Sequence, residues 1–169
     1  DLVRSRGLGD VYKRQLQTCI VPVISYNYAA GSLDRCRKTL STSLIAGVCL
    51  MAVGTLCFET IPSQMLSVFT SDKTVIEIGT IGLRFIGFSF IPMVTSLIFP
   101  VFFQAIGRAV KSSVLTIVRT VVLFVPLGYI FSRFGLNKFW LTFIITELLT
   151  SSLGIYFYKD FLRKTIKEK

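Results

Sequence analysis

The chain has 169 residues, of which 52% are hydrophobic and 17% charged, with a formal net charge of +10 and a mean hydropathy of +0.66. This composition is too apolar and too lightly charged for a soluble domain. Nucleic-acid binding is excluded because the basic residues lie at the ends of apolar runs and form no stripe interleaved with exposed aromatic side chains. The absence of histidine and of any C-x-x-C pair argues against histidine-based catalysis and structural zinc. We expect no enzyme, metal or cofactor.

Residues 1–15 (DLVRSRGLGDVYKRQ) are polar and meet an apolar run abruptly at Leu16. They resemble translated sequencing-adapter sequence, and we interpret them as non-native and leave them out of the fold prediction. The alternative is a genuine basic loop or arm. Charge favours the first interpretation: if Leu16 to Leu33 crosses a membrane, the basic residues of this segment fall on the side opposite to most other basic residues.

Uncharged or nearly uncharged stretches of membrane-spanning length follow. The run from Leu16 to Gly31 predicts the last part of a membrane helix, and complete helices are predicted at about 39–58, 75–107, 112–132 and 139–158. At about 1.5 Å per residue, twenty residues span about 30 Å, the thickness of the hydrocarbon core. A short interfacial helix is predicted at 61–69. The sequence therefore indicates an all-α, polytopic helical membrane protein whose immediate partner is the lipid bilayer.

The loops share the basic residues unequally. One side receives ten: Arg35, Arg37, Lys38, Arg108, Lys111, Lys159, Arg163, Lys164, Lys167 and Lys169. The other side receives Lys73, Arg133 and Lys138, with Arg84 near its edge. Because basic loops stay on the cytoplasmic side, we expect a multi-pass protein of the cell (inner) membrane with a cytoplasmic C-terminus.

Two charges interrupt the last two spans. Arg119 lies eight residues from Lys111, and Glu147 lies twelve residues from Lys159, which places them roughly 12 and 18 Å from the same face. The difference is within reach of an arginine side chain, so we predict an intramembrane ion pair. Its role is either cation coupling or, as we favour, a structural link that holds two helices in register.

Small hydroxyl residues lie on the long helix that contains Pro92 and Pro100. The prolines predict kinks, and irregular backbone at membrane depth is tolerated only next to protein or a cavity. Ser89, Thr95 and Ser96 could then line a polar substrate pathway. Alternatively, their hydroxyls bond to the backbone or to a neighbouring helix, which is the commoner role.

Several short motifs resemble, in order and spacing, the multidrug and toxic compound extrusion (MATE) transporters. These motifs are PVISYNYAAG at 22–31 with Asp34-Arg35 and Arg37-Lys38, FTSD at 69–72 with Val75-Ile76, FFQAIG at 102–107, and Gly135-Leu136 with Trp140-Leu141. The resemblance covers the chain from Leu16 to the C-terminus. It implies part of the eighth helix and helices nine to twelve, which is a partial six-helix C-terminal lobe of a twelve-helix transporter.

The resemblance also implies a function. A MATE transporter exports drugs or other small amphipathic compounds in exchange for sodium ions or protons, and this chain would need the missing N-terminal lobe to do so. Some members carry a cation-binding carboxylate in the tenth helix, where Thr95 stands here; the coupling acid would then be Glu147 or lie in the missing lobe. The alternatives are a lipid-linked saccharide flippase of the same superfamily and a non-catalytic structural membrane subunit.

Overall fold

The computed structural model describes the backbone of residues 8–167 and the surroundings of the side chains of residues 18–165. Within this range the chain forms eight α-helices and one π-helical segment. They are α1 (Leu8–Ala29), α2 (Leu33–Thr60), α3 (Pro62–Ser67), α4 (Lys73–Ala105), α5 (Ala109–Ile117), the π segment (Val118–Phe124), α6 (Val125–Ser132), α7 (Leu136–Phe139) and α8 (Leu141–Lys167). The predicted all-α fold class is confirmed.

Four stretches of the described chain are long and apolar enough to span a bilayer: Leu33–Thr60, Lys73–Ala105, Ala109–Ser132 and Leu136–Thr165. Each overlaps one of the four predicted spans; one end coincides, and the others differ by two to seven residues. The helices extend beyond the uncharged stretches because charged residues at a helix end are solvated at the membrane surface and do not stop the helix. The predicted interfacial helix is present as the shorter α3 (Pro62–Ser67).

Helix α1 begins at Leu8, eight residues before the predicted start of the first apolar run. Its backbone is therefore helical through the second half of the polar segment 1–15, for which the sequence pattern indicated no helix. Residues 1–7 and the side chains of residues 8–15 lie outside the described part of the chain. A helical backbone does not distinguish native from foreign residues, so the adapter interpretation stays a prediction.

Helix α4 is the centre of the fold and packs against α1, α2, α3, α5 and α8. It starts at Lys73 because the Asp72 carboxylate caps it, accepting hydrogen bonds from the backbone N–H groups of Thr74 and Val75 at 2.8 and 3.4 Å. It continues as a helix through both Pro92 and Pro100. Each proline lacks an N–H group, so the carbonyls four residues earlier lose their helical donor.

Two tight turns at one end of the molecule depend on glycine. Gly31 has φ of 71° and Gly107 has φ of 75°, the left-handed region in which a side chain would be strained. At the second turn, the Arg108 N–H donates to the Phe103 carbonyl at 2.8 Å, which closes the end of α4. Each turn reverses the chain direction: Gly31 joins the end of α1 to the start of α2, and Gly107 joins the end of α4 to the start of α5. The end of α8 lies at this same end of the bundle.

The best-packed part of the core lies at this same end. Phe102 and Phe103 are buried on α4, and the Phe102 ring lies 5.8 Å from that of Phe161 and 5.3 Å from that of Tyr158, both on α8. The Ser25 hydroxyl of α1 donates to the Ala105 carbonyl at 2.9 Å. Aromatic contacts and an interhelical hydrogen bond therefore join three helices at one end.

Charge is segregated between the two ends of the bundle. The end with Gly31 and Gly107, called the basic end below, carries eight described basic side chains and two acidic ones. They are Arg35, Arg37, Lys38, Arg108, Lys111, Lys159, Arg163 and Lys164, with Asp34 and Asp160. Between the ends, α2 presents large exposed apolar side chains such as Ile45, Val53 and Leu56. This arrangement is that of a bundle whose sides face lipid.

Candidate functional site

A π-helical segment interrupts the third span and carries Arg119 as its second residue. The wider turn changes the direction of side chains relative to a continuous α-helix, and such segments occur often at functional sites. Pro126 follows two residues after the segment and cannot donate a backbone hydrogen bond. This segment was not predicted from the sequence. Pro126 was the local signal for it, because side-chain periodicity does not separate seven π-helical residues from α-helix.

Arg119 and Glu147 are in contact across the interface between the π segment and α8. The arginine Nε and Nη2 atoms both donate to Glu147 Oε1, at 2.9 and 2.5 Å. The carboxylate side chain is 8% exposed and the guanidinium side chain 27% exposed. Two donors on one oxygen leave the second oxygen, Oε2, for another partner.

That partner is Ser96 of α4, whose hydroxyl donates to Glu147 Oε2. Ser96 Oγ also lies 3.0 Å from the Met93 carbonyl oxygen. A hydroxyl has one proton, so it donates to only one of these acceptors at a time. The carboxylate is the stronger acceptor, and the bond to Glu147 therefore links α4 to α8 while Arg119 links α8 to the π segment.

A pocket of about 330 Å³ opens beside this pair. Its walls come from α4, the π segment and α8: Ile86, Ser89, Phe90, Met93, Arg119, Thr120, Phe124, Phe143, Thr146 and Glu147. Three aromatic rings and a thioether give it an apolar, polarisable surface, while Arg119 and Glu147 give it a charged one. Small amphipathic compounds bind in pockets of this size and composition.

The three hydroxyl residues proposed for a polar pathway do not share one surface. Ser89 and Ser96 are seven residues apart and lie on the same face of α4: Ser89 lines the pocket and Ser96 contacts Glu147. Thr95 is not in the wall of this pocket. One residue along a helix is a rotation of about 100°, which turns Thr95 away from the face that carries Ser96.

Helix α8 carries three further buried hydroxyls that the sequence analysis did not single out. Thr142, Thr146 and Thr150 are at most 1% exposed, and their Oγ1 atoms have no hydrogen-bond partner among the described residues. Their spacing of four residues puts them on one helix face, and this spacing was the available signal. The sequence-based candidates were limited to the hydroxyl residues of the proline-containing helix, so the threonines of α8 were not considered.

The described side chains contain no group of three histidine, cysteine, aspartate or glutamate residues that could hold a metal ion. At Glu147, one oxygen already accepts two hydrogen bonds from Arg119. The guanidinium charge repels a second cation at that carboxylate. In this arrangement the ion pair joins the π segment to α8, and the guanidinium charge disfavours a second cation at the carboxylate.

Comparison with known proteins identifies the family. The MatE family model matches residues 15–130. Curated relatives include the multidrug export protein MepA of Staphylococcus aureus strains bovine RF122 / ET3-1, MRSA252 and N315, each 27% identical over 148 residues. The match covers 83% of this chain and 32% of each relative, so the chain spans about a third of their length. No solved structure matches the chain.

The family match and the fold agree with each other. The matched residues include α2, α4 and most of the third span, and the four apolar spans make the chain a membrane protein. The matched region also contains Arg119, whereas Glu147 lies beyond it. The chain therefore belongs to the MatE family, the multidrug and toxic compound extrusion transporters that its sequence motifs resemble.

Proposed function

We propose that this chain is part of an exporter of drugs or other small amphipathic compounds that is driven by sodium ions or protons. The pocket beside Arg119 and Glu147 supports this proposal most directly, because it combines three aromatic rings with charge at membrane depth. The relatives named as multidrug export proteins add support. Transport would proceed by alternating access between this lobe and a second lobe encoded elsewhere in the gene.

Arg119 and Glu147 are proposed as a structural link rather than as the cation site. Both oxygens of Glu147 have protein donors, and the guanidinium makes a second bound cation unfavourable. The coupling carboxylate would then lie in the missing lobe. In this proposal the cation that drives transport binds in the missing lobe, whereas Arg119 and Glu147 hold the helices of this lobe together.

The saccharide flippase alternative is less well supported. A cavity for a lipid-linked saccharide carrying phosphates is expected to contain several basic residues. The pocket wall has a single basic residue, Arg119, and Glu147 already neutralises it. We therefore retain drug export as the proposed function.

The test is efflux of ethidium, an aromatic cation, from bacterial cells that lack their own exporters. We expect the complete gene to produce efflux that stops when one gradient is collapsed, with a sodium ionophore or a protonophore identifying the coupling ion. Residues 16–169 alone should give no efflux, because half of the transport cavity is absent.

Two results would contradict the proposal. One is a complete gene product that reaches the membrane but leaves ethidium retention unchanged. The other is ionophore-sensitive efflux from cells that express only residues 16–169.

A further inference from the structure

A second cavity, of about 530 Å³, lies at the basic end, outside the site around Arg119 and Glu147. It is formed by the turn between α1 and α2, the first turns of α2 and the last turns of α8. Its wall consists of Gly31, Ser32, Leu33, Asp34, Arg35, Arg37, Leu162 and Thr165. The volume is within the range of about 300–1,000 Å³ that small-molecule sites occupy.

The wall of this cavity has an apolar part and a charged part. Leu33 and Leu162 pack against the buried core and supply an apolar floor. Arg35 and Arg37 are exposed and supply a basic rim, with Asp34 as the single acidic residue among the described residues of the wall. A ligand that fills the cavity therefore needs a negatively charged group that contacts the rim and apolar groups that contact the floor.

The positive charges of the two rim arginines are not neutralised by ion pairs with described carboxylates. The acidic side chain on α8 at this end, Asp160, is paired with Lys111 at 3.0 Å and with Lys164 at 3.3 Å. Neither Arg35 nor Arg37 forms a salt bridge with a described acidic side chain, although the Arg37 side chain is hydrogen-bonded to Tyr158 of α8. Among the described residues of the cavity wall, two basic side chains therefore stand against one acidic side chain, within a basic end that has eight described basic and two acidic side chains.

We propose that this cavity binds the headgroup of an anionic phospholipid. The guanidinium groups of Arg35 and Arg37 contact the phosphate, while Leu33 and Leu162 contact the glycerol backbone and the first acyl carbons. The location fits, because the ends of the spanning helices lie at the level of lipid headgroups. Free phosphate shares the charge of the headgroup, but it would leave the apolar floor uncovered.

The test is a lipid titration of the complete gene product that carries this chain, followed by native mass spectrometry in a neutral detergent. Phosphatidylglycerol should bind more tightly than phosphatidylcholine. The double variant Arg35→Gln/Arg37→Gln should weaken phosphatidylglycerol binding roughly 30-fold. Arg35→Lys/Arg37→Lys should stay within about threefold of the unaltered protein, because the charge is kept.

The matched control is Lys38→Gln/Arg163→Gln, which removes two exposed positive charges from the same end but none from the cavity wall. It should weaken binding less than about threefold. Equal losses in the two glutamine variants would overturn the proposal in favour of diffuse charge attraction. So would equal binding of the two lipids by the unaltered protein, a comparison that requires no variant to fold.

Inorganic phosphate distinguishes the two sources of the anion. Added as a competitor, it should not displace phosphatidylglycerol at equal concentration, because it cannot cover Leu33 and Leu162. Displacement at equal concentration would assign the cavity to a free anion and overturn the lipid proposal. None of these measurements depends on transport, so their outcome is separable from that of the proposed export function.

Discussion

Glu147 is the residue on which the contacts of the candidate site converge. Its side chain is 8% exposed, and it accepts hydrogen bonds from Arg119 on one oxygen and from Ser96 on the other. A carboxylate buried in an apolar bundle is costly unless its charge and its lone pairs are both satisfied. These two partners provide the charge and the second donor, so the three residues are expected to contribute as a unit.

A double-mutant cycle tests this coupling. Arg119→Ala leaves Glu147 without its counter-charge, and Glu147→Ala leaves the guanidinium without its acceptor, so each should destabilise the protein by about 3 kcal/mol. The double variant should lose less than the sum, with a coupling energy of roughly 1–2 kcal/mol. The measurement is the free energy of unfolding in mixed detergent micelles.

Ser152→Ala is the control for this cycle, because Ser152 is exposed on α8 and bonds to its own backbone at Leu148. It should change the free energy of unfolding by less than about 0.5 kcal/mol. Strictly additive losses in the Arg119 and Glu147 cycle would show that the pair contributes no interaction energy.

Close packing around α4 depends on glycine, both on α4 itself and on the helix that faces it. A Cβ atom built on Gly154 of α8 would lie 2.7 Å from a ring carbon of Phe99, and one on Gly82 of α4 would lie 2.7 Å from the Trp140 ring. Both distances are shorter than a van der Waals contact. The close approach of α8 to Phe99 of α4, and of Trp140 just before α8 to Gly82 of α4, therefore requires that these two positions lack a side chain.

A pair of glycine substitutions tests whether the missing side chain at Gly154 is required for packing. Gly154→Ala should destabilise the protein by about 1–3 kcal/mol, because the buried Phe99 ring has to move. Gly128→Ala is the matched control, since its Cβ would lie 3.6 Å from Phe139, an ordinary contact distance. It should be neutral or stabilise by up to about 1 kcal/mol through helix propensity. Thermal unfolding of the two variants in detergent measures the difference; equal shifts would contradict the packing argument.

At the scale of the whole molecule, the separation of charge between the two ends indicates how the chain lies in the membrane. The turns at Gly31 and Gly107 and the end of α8 meet at one end, where the described basic side chains outnumber the described acidic ones by eight to two. Arg84, Arg133 and Lys138 lie toward the other end. The excess of basic residues predicts that the basic end is cytoplasmic.

Cysteine labelling checks this orientation. In a version with the four native cysteines replaced, Lys164→Cys should react with a membrane-impermeant maleimide only after the cells are permeabilised. Arg133→Cys, at the opposite end, should react in intact cells. The reverse pattern would place the C-terminal helix end outside and would contradict the prediction.

The sequence by itself determined the parts of this protein that depend on the cost of charge in lipid. That cost applies to each charged residue separately. The positions of charged residues such as Lys38, Glu59 and Arg108 therefore located the ends of the spans to within several residues. Depth follows from the rise per residue, which is why Arg119 and Glu147 could be assigned to similar depths before any contact was known.

Only the tertiary structure decided which side chains face one another. Rotation of a helix about its axis is set by packing and by local irregularities such as the π segment, and neither is encoded in a charge pattern. That rotation brought Ser96 to Glu147, left Thr95 on another face and buried Thr146 without a partner. Depth in the membrane can therefore be read from the sequence, because the rise per residue along a helix is constant. Contacts between side chains depend on how several helices pack, which the sequence pattern does not give.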